Sequence, residues 1–308
     1  MSFAGDVHFA ERTATLLQRD PATAFGSTEV VLSRADLTMV NLETAIAVGG
    51  QPENKSFTFE APPTAFTALK DAGIDIATMA NNHGADYGSA GLTQTLAAIK
   101  ASGFPVVGIG ANAAQAFSPY YTTVNGVRVA VIAASQVQDE TLAHFSAGPA
   151  SPGIANAYDD QLLASVRAAK AKADVVISYI HWGTEYQNCP NDDQVALANS
   201  LAAAGVTAII GTHAHVLQGL GWRPDGSYVA YGLGNYLWWK SFGNDQDDNG
   251  VLTLTFKDKR VVAANFLPSQ LDDTGISPPA TGATAQRILA EVDQRRSQCT
   301  NLSATPPR

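Results

Sequence analysis

The chain is poor in charge, in cysteine and in long apolar runs, and each shortage closes a class of function. Only 15% of its 308 residues are charged and the net charge is −9. Nucleic acid as a partner demands clustered Lys and Arg, so it is excluded, and the same sign disfavours anionic lipid. No apolar stretch attains the roughly 18–20 residues that span a bilayer, so no transmembrane segment is expected. Cysteine occurs twice, at Cys189 and Cys299, which is no metal-binding CxxC pair. The two are either thiols or one disulfide, which would tie the C-terminal tail to the loop after His181 and imply an oxidising compartment.

Apolar residues make up 45%, enough for a globular core in one large domain or two small ones. No signal peptide is present. The chain opens abruptly on "MSFAGD", inside what reads as a first strand. That is the pattern of a trimmed mature chain, so an export signal on a precursor and an extracytoplasmic or cell-surface location are expected, with the cytoplasm left open.

Helix and strand patterns alternate through two thirds of the sequence. A helix is expected around 22–34 and a strand over Leu37–Leu42, then a helix from Pro63 to Ala72 and a strand over Ile74–Met79. Pro63 suits a helix start and Gly73 the position just past its end. Val127, Val129 and Val131 alternate as a strand requires, and two capped amphipathic helices each precede apolar strands ending near His181 and His213. After His215 the pattern turns to hairpins. An α/β (α+β) layered fold follows, with one or two mixed sheets between helices. Residues 1–268 form its body; 269–285 read as a polar linker, and the rest as a terminal helix and tail packing on the same domain.

Polar residues concentrate at strand ends. Asp6 and His8 stand in "AGDVH", Asn41 and Glu43 in "VNLET", Asn81, Asn82 and His83 in "MANNHGAD". His181 and Glu185 follow in "YIHWGTEY", His213 and His215 in "GTHAHV", and Asn235 in "GLGNY". Five of the six histidines lie there; His144 alone reads as a loop residue. In layered α/β folds sites form where the carboxyl ends of strands converge. Each residue alone has an ordinary structural explanation, but the recurring series points to one shared site. Its donors are nitrogen and oxygen without thiolate, which suits Zn, Mn or Fe. They are too many for one tetrahedral ion and fit two divalent ions bridged by a carboxylate.

In order and spacing these motifs resemble the calcineurin-like metallophosphoesterases, and more closely their CapA branch, the poly-gamma-glutamate synthesis proteins. The resemblance runs from "AGDVH" to "YGLGNYLW", residues 4–238. It implies a four-layer α-β-β-α sandwich with two mixed sheets. It also implies one metal on Asp6, His8 and His215 and a second on Asn82, His181 and His213, with Glu43 bridging. His83 matches the position that acts as general acid or transition-state stabiliser in phosphoesterases. Glu43 stands where phosphoesterases carry Asp, which counts against phosphatase activity. Asn81, Asn235 and Trp182 are then expected as substrate contacts, and Asp86 and Glu185 as substrate contacts or partners of the histidines.

The reading that follows is a dinuclear-metal enzyme of capsule biosynthesis, acting on amide or acyl bonds of an anionic peptide such as poly-gamma-glutamate. Three alternatives stay open: a phosphoesterase, a metal-independent peptide epimerase using Asp6 and His215 as an acid–base pair, and a non-catalytic polymer-binding or export accessory.

Overall fold

Alternation along three parallel strands sets the layers of this protein, a computed structural model of which describes residues 1–307. In Val127–Ser135, Val175–His181 and Ala208–Thr212 nearly every residue is buried, as in a sheet covered on both faces. Val129, Val131, Ile177, Tyr179 and Ile210 pack in one cluster with Phe3 and Met39 of a second sheet. The alternate residues Ala130, Ile132, Val176, Ile180 and Ile209 pack instead with Leu162, Val166, Leu197 and Leu201. Those four belong to the helices Asp160–Lys170 and Asp192–Ala204. Each fully buried Leu or Ile of this kind stabilises the fold by roughly 1.5–3 kcal/mol.

The six-stranded sheet has the order Leu220–Trp222, Tyr228–Ala230, Ala208–Thr212, Val175–His181, Val127–Ser135, Tyr120–Val124, its middle four strands parallel. The facing seven-stranded sheet runs Arg260–Gln270, Asp248–Lys257, Ser2–Val7, Thr38–Leu42, Ile76–Thr78, Val106–Val107, with Asn235–Leu237 also paired to Ser2–Val7. The helices Glu11–Arg19, Thr64–Asp71 and Gly88–Ser102 add Leu17, Leu69 and Leu92 to its core. The whole is a helix–sheet–sheet–helix sandwich with two mixed sheets. Among the described residues no helix is long and apolar enough to cross a membrane.

Two local expectations give way. The helix around 22–34 is broken into the 3₁₀ turns Pro21–Thr23 and Gly26–Thr28 and one helical turn, Glu29–Leu32. Gly26 adopts φ +55°, a left-handed value that interrupts any helix. The continuous helix lies earlier, over Glu11–Arg19, where the sequence offers only a weak cap. The expected linker starts inside a strand, because Ser269 and Gln270 still pair with Asn249 and Asp248. The last helix, Gly282–Cys299, buries Ile288 and Val292 against strands of both sheets. Cys299 is disulfide-bonded to Cys189.

Candidate metal centre

Strand register builds the floor of the site. Asp6 lies beside Asn41 on one side and Asn235 on the other. Asn41 is the hub: its Nδ2 donates to Asp6 Oδ1 at 2.8 Å and Glu43 Oε2 at 3.3 Å, and stands 3.2 Å from His181 Nδ1. From the opposite sheet come His181, ending its strand, and His213 and His215 just beyond Thr212. His213 and His215 have φ of +92° and +54°. Non-glycine residues adopt such angles at a cost of about 1–3 kcal/mol each, which characteristically accumulates at functional sites.

Glu43 Oε1 is buried and accepts no hydrogen bond. Three imidazole Nε2 atoms surround it, His181 at 3.6 Å and His83 and His215 at 3.9 Å each. Ligands bonded to one Zn-sized ion stand no more than about 4.2 Å apart, since each bond is about 2.0–2.2 Å. The orphaned oxygen and its nitrogen neighbours therefore fit a divalent cation. Two groups of donors lie within 4.8 Å of one another, close to that spacing: Asp6 with Glu43 and His181, and Glu43 with His213 and His215. Glu43 is common to both, the place of a bridging carboxylate. Asn82 Oδ1, 2.9 Å from His181 Nε2, reaches the same locus.

This partition differs from the expected ligand sets in two respects. His215 groups with His213 rather than with Asp6 and His8. His8 joins neither group; its Nε2 accepts the Trp239 backbone N–H at 3.0 Å, its ring stacks on Trp238 at 4.1 Å, and its Nδ1 is buried without a partner. The chain at 238–239 folds over His8 and holds it as a wall of the site.

Burial, with the nearby histidines adding to it, drives His8, His181 and His213 well below the ordinary imidazole range. All three are neutral near pH 7, the form that ligates metal. Burial also opposes charge on His215, yet the Asp6 carboxylate, with help from Asn235, raises its pKa. Glu43 is pushed well above the carboxylate range by burial first and by Asp6 second. A bound cation would relieve that repulsion.

His83 faces Glu43 with Nε2, while its Nδ1 lies 2.6 Å from Asp86 Oδ2. Asp86 is itself held by the Phe59 N–H at 2.8 Å and by Lys55 Nζ at 2.9 Å. Lys55 also donates to the Asn82 carbonyl and lies 3.3 Å from Asp139. Two residues expected to touch substrate, Asn81 and Asn235, and Asp86, expected there or as a partner of a histidine, thus serve the site from behind. Asp86 orients His83. Asn81 spends its amide on Asn41, the Leu42 carbonyl and the His83 N–H. Asn235 Oδ1 lies 2.8 Å from His215 Nδ1.

Trp182 is placed elsewhere. Its side chain is buried among the outer-helix residues and donates to the Tyr231 carbonyl at 2.8 Å. Glu185 stands exposed at the mouth of the site cleft with Tyr186, Phe57, Phe59, Trp238 and Trp239. Lys55 and Phe59 carried no sequence signal, because "NKSFTF" reads as a polar turn.

The bacterial capsule synthesis protein profile, PGA_cap, matches residues 1–238. The capsule biosynthesis protein CapA of Bacillus anthracis is 27% identical over 307 residues, covering 97% of this chain and 74% of the relative. The PGA biosynthesis protein CapA of Bacillus subtilis strain 168 is 28% identical over 250 residues, 80% of this chain and 65% of the relative. Among solved structures, a novel phosphatase of Mycoplasma pneumoniae aligns with a TM-score of 0.55 and 16% identity over 88% of this chain and 93% of its own. A hypothetical protein of Thermus thermophilus gives the same TM-score and identity over 87% and 98%. These two likenesses show the metallophosphoesterase-type fold.

Proposed function

We propose a function from one premise: the chain belongs to the bacterial capsule synthesis protein family PGA_cap. It is a metal-dependent enzyme of capsule polymer synthesis that acts on an amide or acyl bond of a gamma-glutamyl chain. The observation that carries this reading is the orphaned Glu43 Oε1 amid three imidazole Nε2 atoms. The gamma-glutamyl class comes from the family resemblance, and the Bacillus subtilis relative is named a PGA biosynthesis protein.

Asp6, Glu43, Asn82, His181, His213 and His215 would hold two divalent ions, Zn, Mn or Fe. Such ions supply a Lewis acid for the scissile carbonyl and a hydroxide near neutral pH. His83, its Nδ1 fixed on Asp86, offers Nε2 to pass a proton to the departing nitrogen. Phe59 packs against both His83 and His8, and Trp238 against His215, so the walls around the proton-transfer atom are dry. The Cys189–Cys299 bridge fits an oxidising compartment outside the cytoplasm.

The metal-free acid–base pair has less support. His215 Nδ1 is 3.4 Å from Asp6 Oδ2, but Asp6 is fully buried and already accepts from Asn41 and the His213 N–H. It offers a substrate carbon no open face. The test is elemental analysis of the purified protein, followed by incubation with gamma-glutamyl oligomers, a phosphodiester, and a peptide in deuterated water. Bound metal with new oligomer ends is expected. Metal-free protein, turnover of the phosphodiester alone, or alpha-proton exchange alone would overturn the reading.

A further inference from the structure

The mouth of the cleft carries two charges, Glu185 and Lys240, that form no ion pair. Glu185 and Lys240 line the same small opening, a cavity of about 50 Å³ walled by Phe57, Phe59, Tyr186, Trp239 and Phe242. They come from different segments of the chain, Glu185 from the loop after His181 and Lys240 from the segment after Asn235–Leu237. Neither is ion-paired with the other or with another side chain among the described residues. The Lys240 ammonium lies 4.5 Å from the Trp239 ring centroid and 4.6 Å from that of Phe242. Two aromatic faces thus hold it in place without neutralising it. Glu185 is held nearby, because the Tyr186 N–H donates to the Ala214 carbonyl at 2.8 Å. The loop's far end is tied by Gln218 to Gln187 and by Cys189 to Cys299.

A cation seated on two aromatic faces and an anion on a tethered loop, lining one aromatic opening, match a ligand with both charges close together. We propose that Glu185 and Lys240 bind the zwitterionic amino-acid end of a peptide chain. Glu185 takes the free α-ammonium, and Lys240 takes the α-carboxylate of the same terminal residue. In a gamma-linked chain only the amino-terminal residue carries both groups on one carbon. The inference rests on the gamma-glutamyl reading of the site and narrows it: the protein engages a chain end, not an interior segment.

The test is equilibrium binding of penta-gamma-glutamate in three forms, by calorimetry on the protein as isolated. One form is free, one is N-acetylated, and one carries an α-amide on its first residue. Acetylation and amidation should each weaken binding about tenfold or more, the scale of a lost charge-assisted contact. In Glu185→Gln the acetylation penalty should vanish while the amidation penalty remains, and in Lys240→Gln the reverse should hold. Both residues lie at the surface, and an unchanged thermal transition shows that the variants fold. Equal binding of the free and acetylated forms, penalties that survive in both variants, or no binding of any form would overturn the proposal. A parallel series on α-linked pentaglutamate separates the two readings. The same Glu185 and Lys240 dependence on α-linked chains alone would uphold end recognition and sink the gamma-glutamyl substrate. Turnover of acetylated gamma-linked chains at the rate of free ones would do the opposite.

Discussion

His83 Nδ1 lies 2.6 Å from Asp86 Oδ2, and the same carboxylate grips the segment that roofs the cleft. Through Phe59 N–H and Lys55, Asp86 secures a stretch that packs Phe59 against His83 itself. The orientation of the proton-transfer residue and the seating of the cleft wall are therefore one structural event.

Asp86→Asn keeps the shape but removes the charge facing Lys55 and the acceptor that sets the His83 tautomer. The expected result is a turnover loss of about 10–100-fold, the scale seen when a histidine's orienting partner is removed. A stability loss of about 1–3 kcal/mol should accompany it, since Lys55 and His83 are both buried. Denaturant titration and kcat at saturating metal check the two effects separately. Retention of full kcat would show that His83 does not move a proton.

Glu43→Gln should strip the centre of metal, because Glu43 belongs to both donor groups. His8→Asn should leave the metal content intact, since the His8 Nε2 is committed to the Trp239 N–H. Elemental analysis of the two variants side by side decides it. Loss of metal from the His8 variant would restore the ligand set that the family resemblance implies.

Proton release on metal binding follows from the same electrostatics. The raised pKa of Glu43 means that the metal-free folded protein holds a proton that the unfolded chain has lost above a carboxyl pKa of about 4.3. Metal-free stability accordingly falls as pH rises from there through the Glu43 value. Metal binding expels the proton and removes that dependence. Calorimetry in buffers of different ionisation enthalpy should show release at pH values below the raised Glu43 value, with affinity rising as pH rises towards it. Glu43→Gln should abolish its share. His181 and His213, already neutral, contribute none.

Cys299→Ser opens a bridge between residues 110 apart. Chain-entropy arguments put the loss at about 4–5 kcal/mol for a loop of this length. The loop carrying Glu185 and Tyr186 loses one of its tethers as well. Denaturant midpoints of the oxidised protein and the variant measure the stability term. A loss below about 1 kcal/mol would mean that the unfolded chain is already compact there.

Much of this molecule was legible in one dimension. Val129, Val131 and their alternates display the period of a doubly covered strand, and parallel strands separated by helices bring their carboxyl ends together. Asp6, Glu43, Asn82, His181, His213 and His215 could therefore be gathered from their strand-end positions alone. Glu11–Arg19 escaped because its start has no side-chain cap, and the helix expected around 22–34 failed on a single left-handed glycine.

Tertiary structure alone decided how those residues divide the work. The His8 Nε2 accepts the backbone N–H of Trp239, 231 positions away, a contact that no local period encodes. Asn81 and Asn235 look like substrate contacts in the sequence and Asp86 like a contact or a histidine's partner; three-dimensional hydrogen bonding spends them on Asn41, His83 and His215. Trp182 follows His181 directly, yet the two-residue period of the strand sends their side chains to opposite faces. The sequence by itself determined which chemistry is present and at which end of the sheets it collects. Side-chain direction and long-range pairing determined which atoms meet, because a carboxylate or imidazole becomes ligand, orienter or wall only through the partner its free lone pair or proton finds.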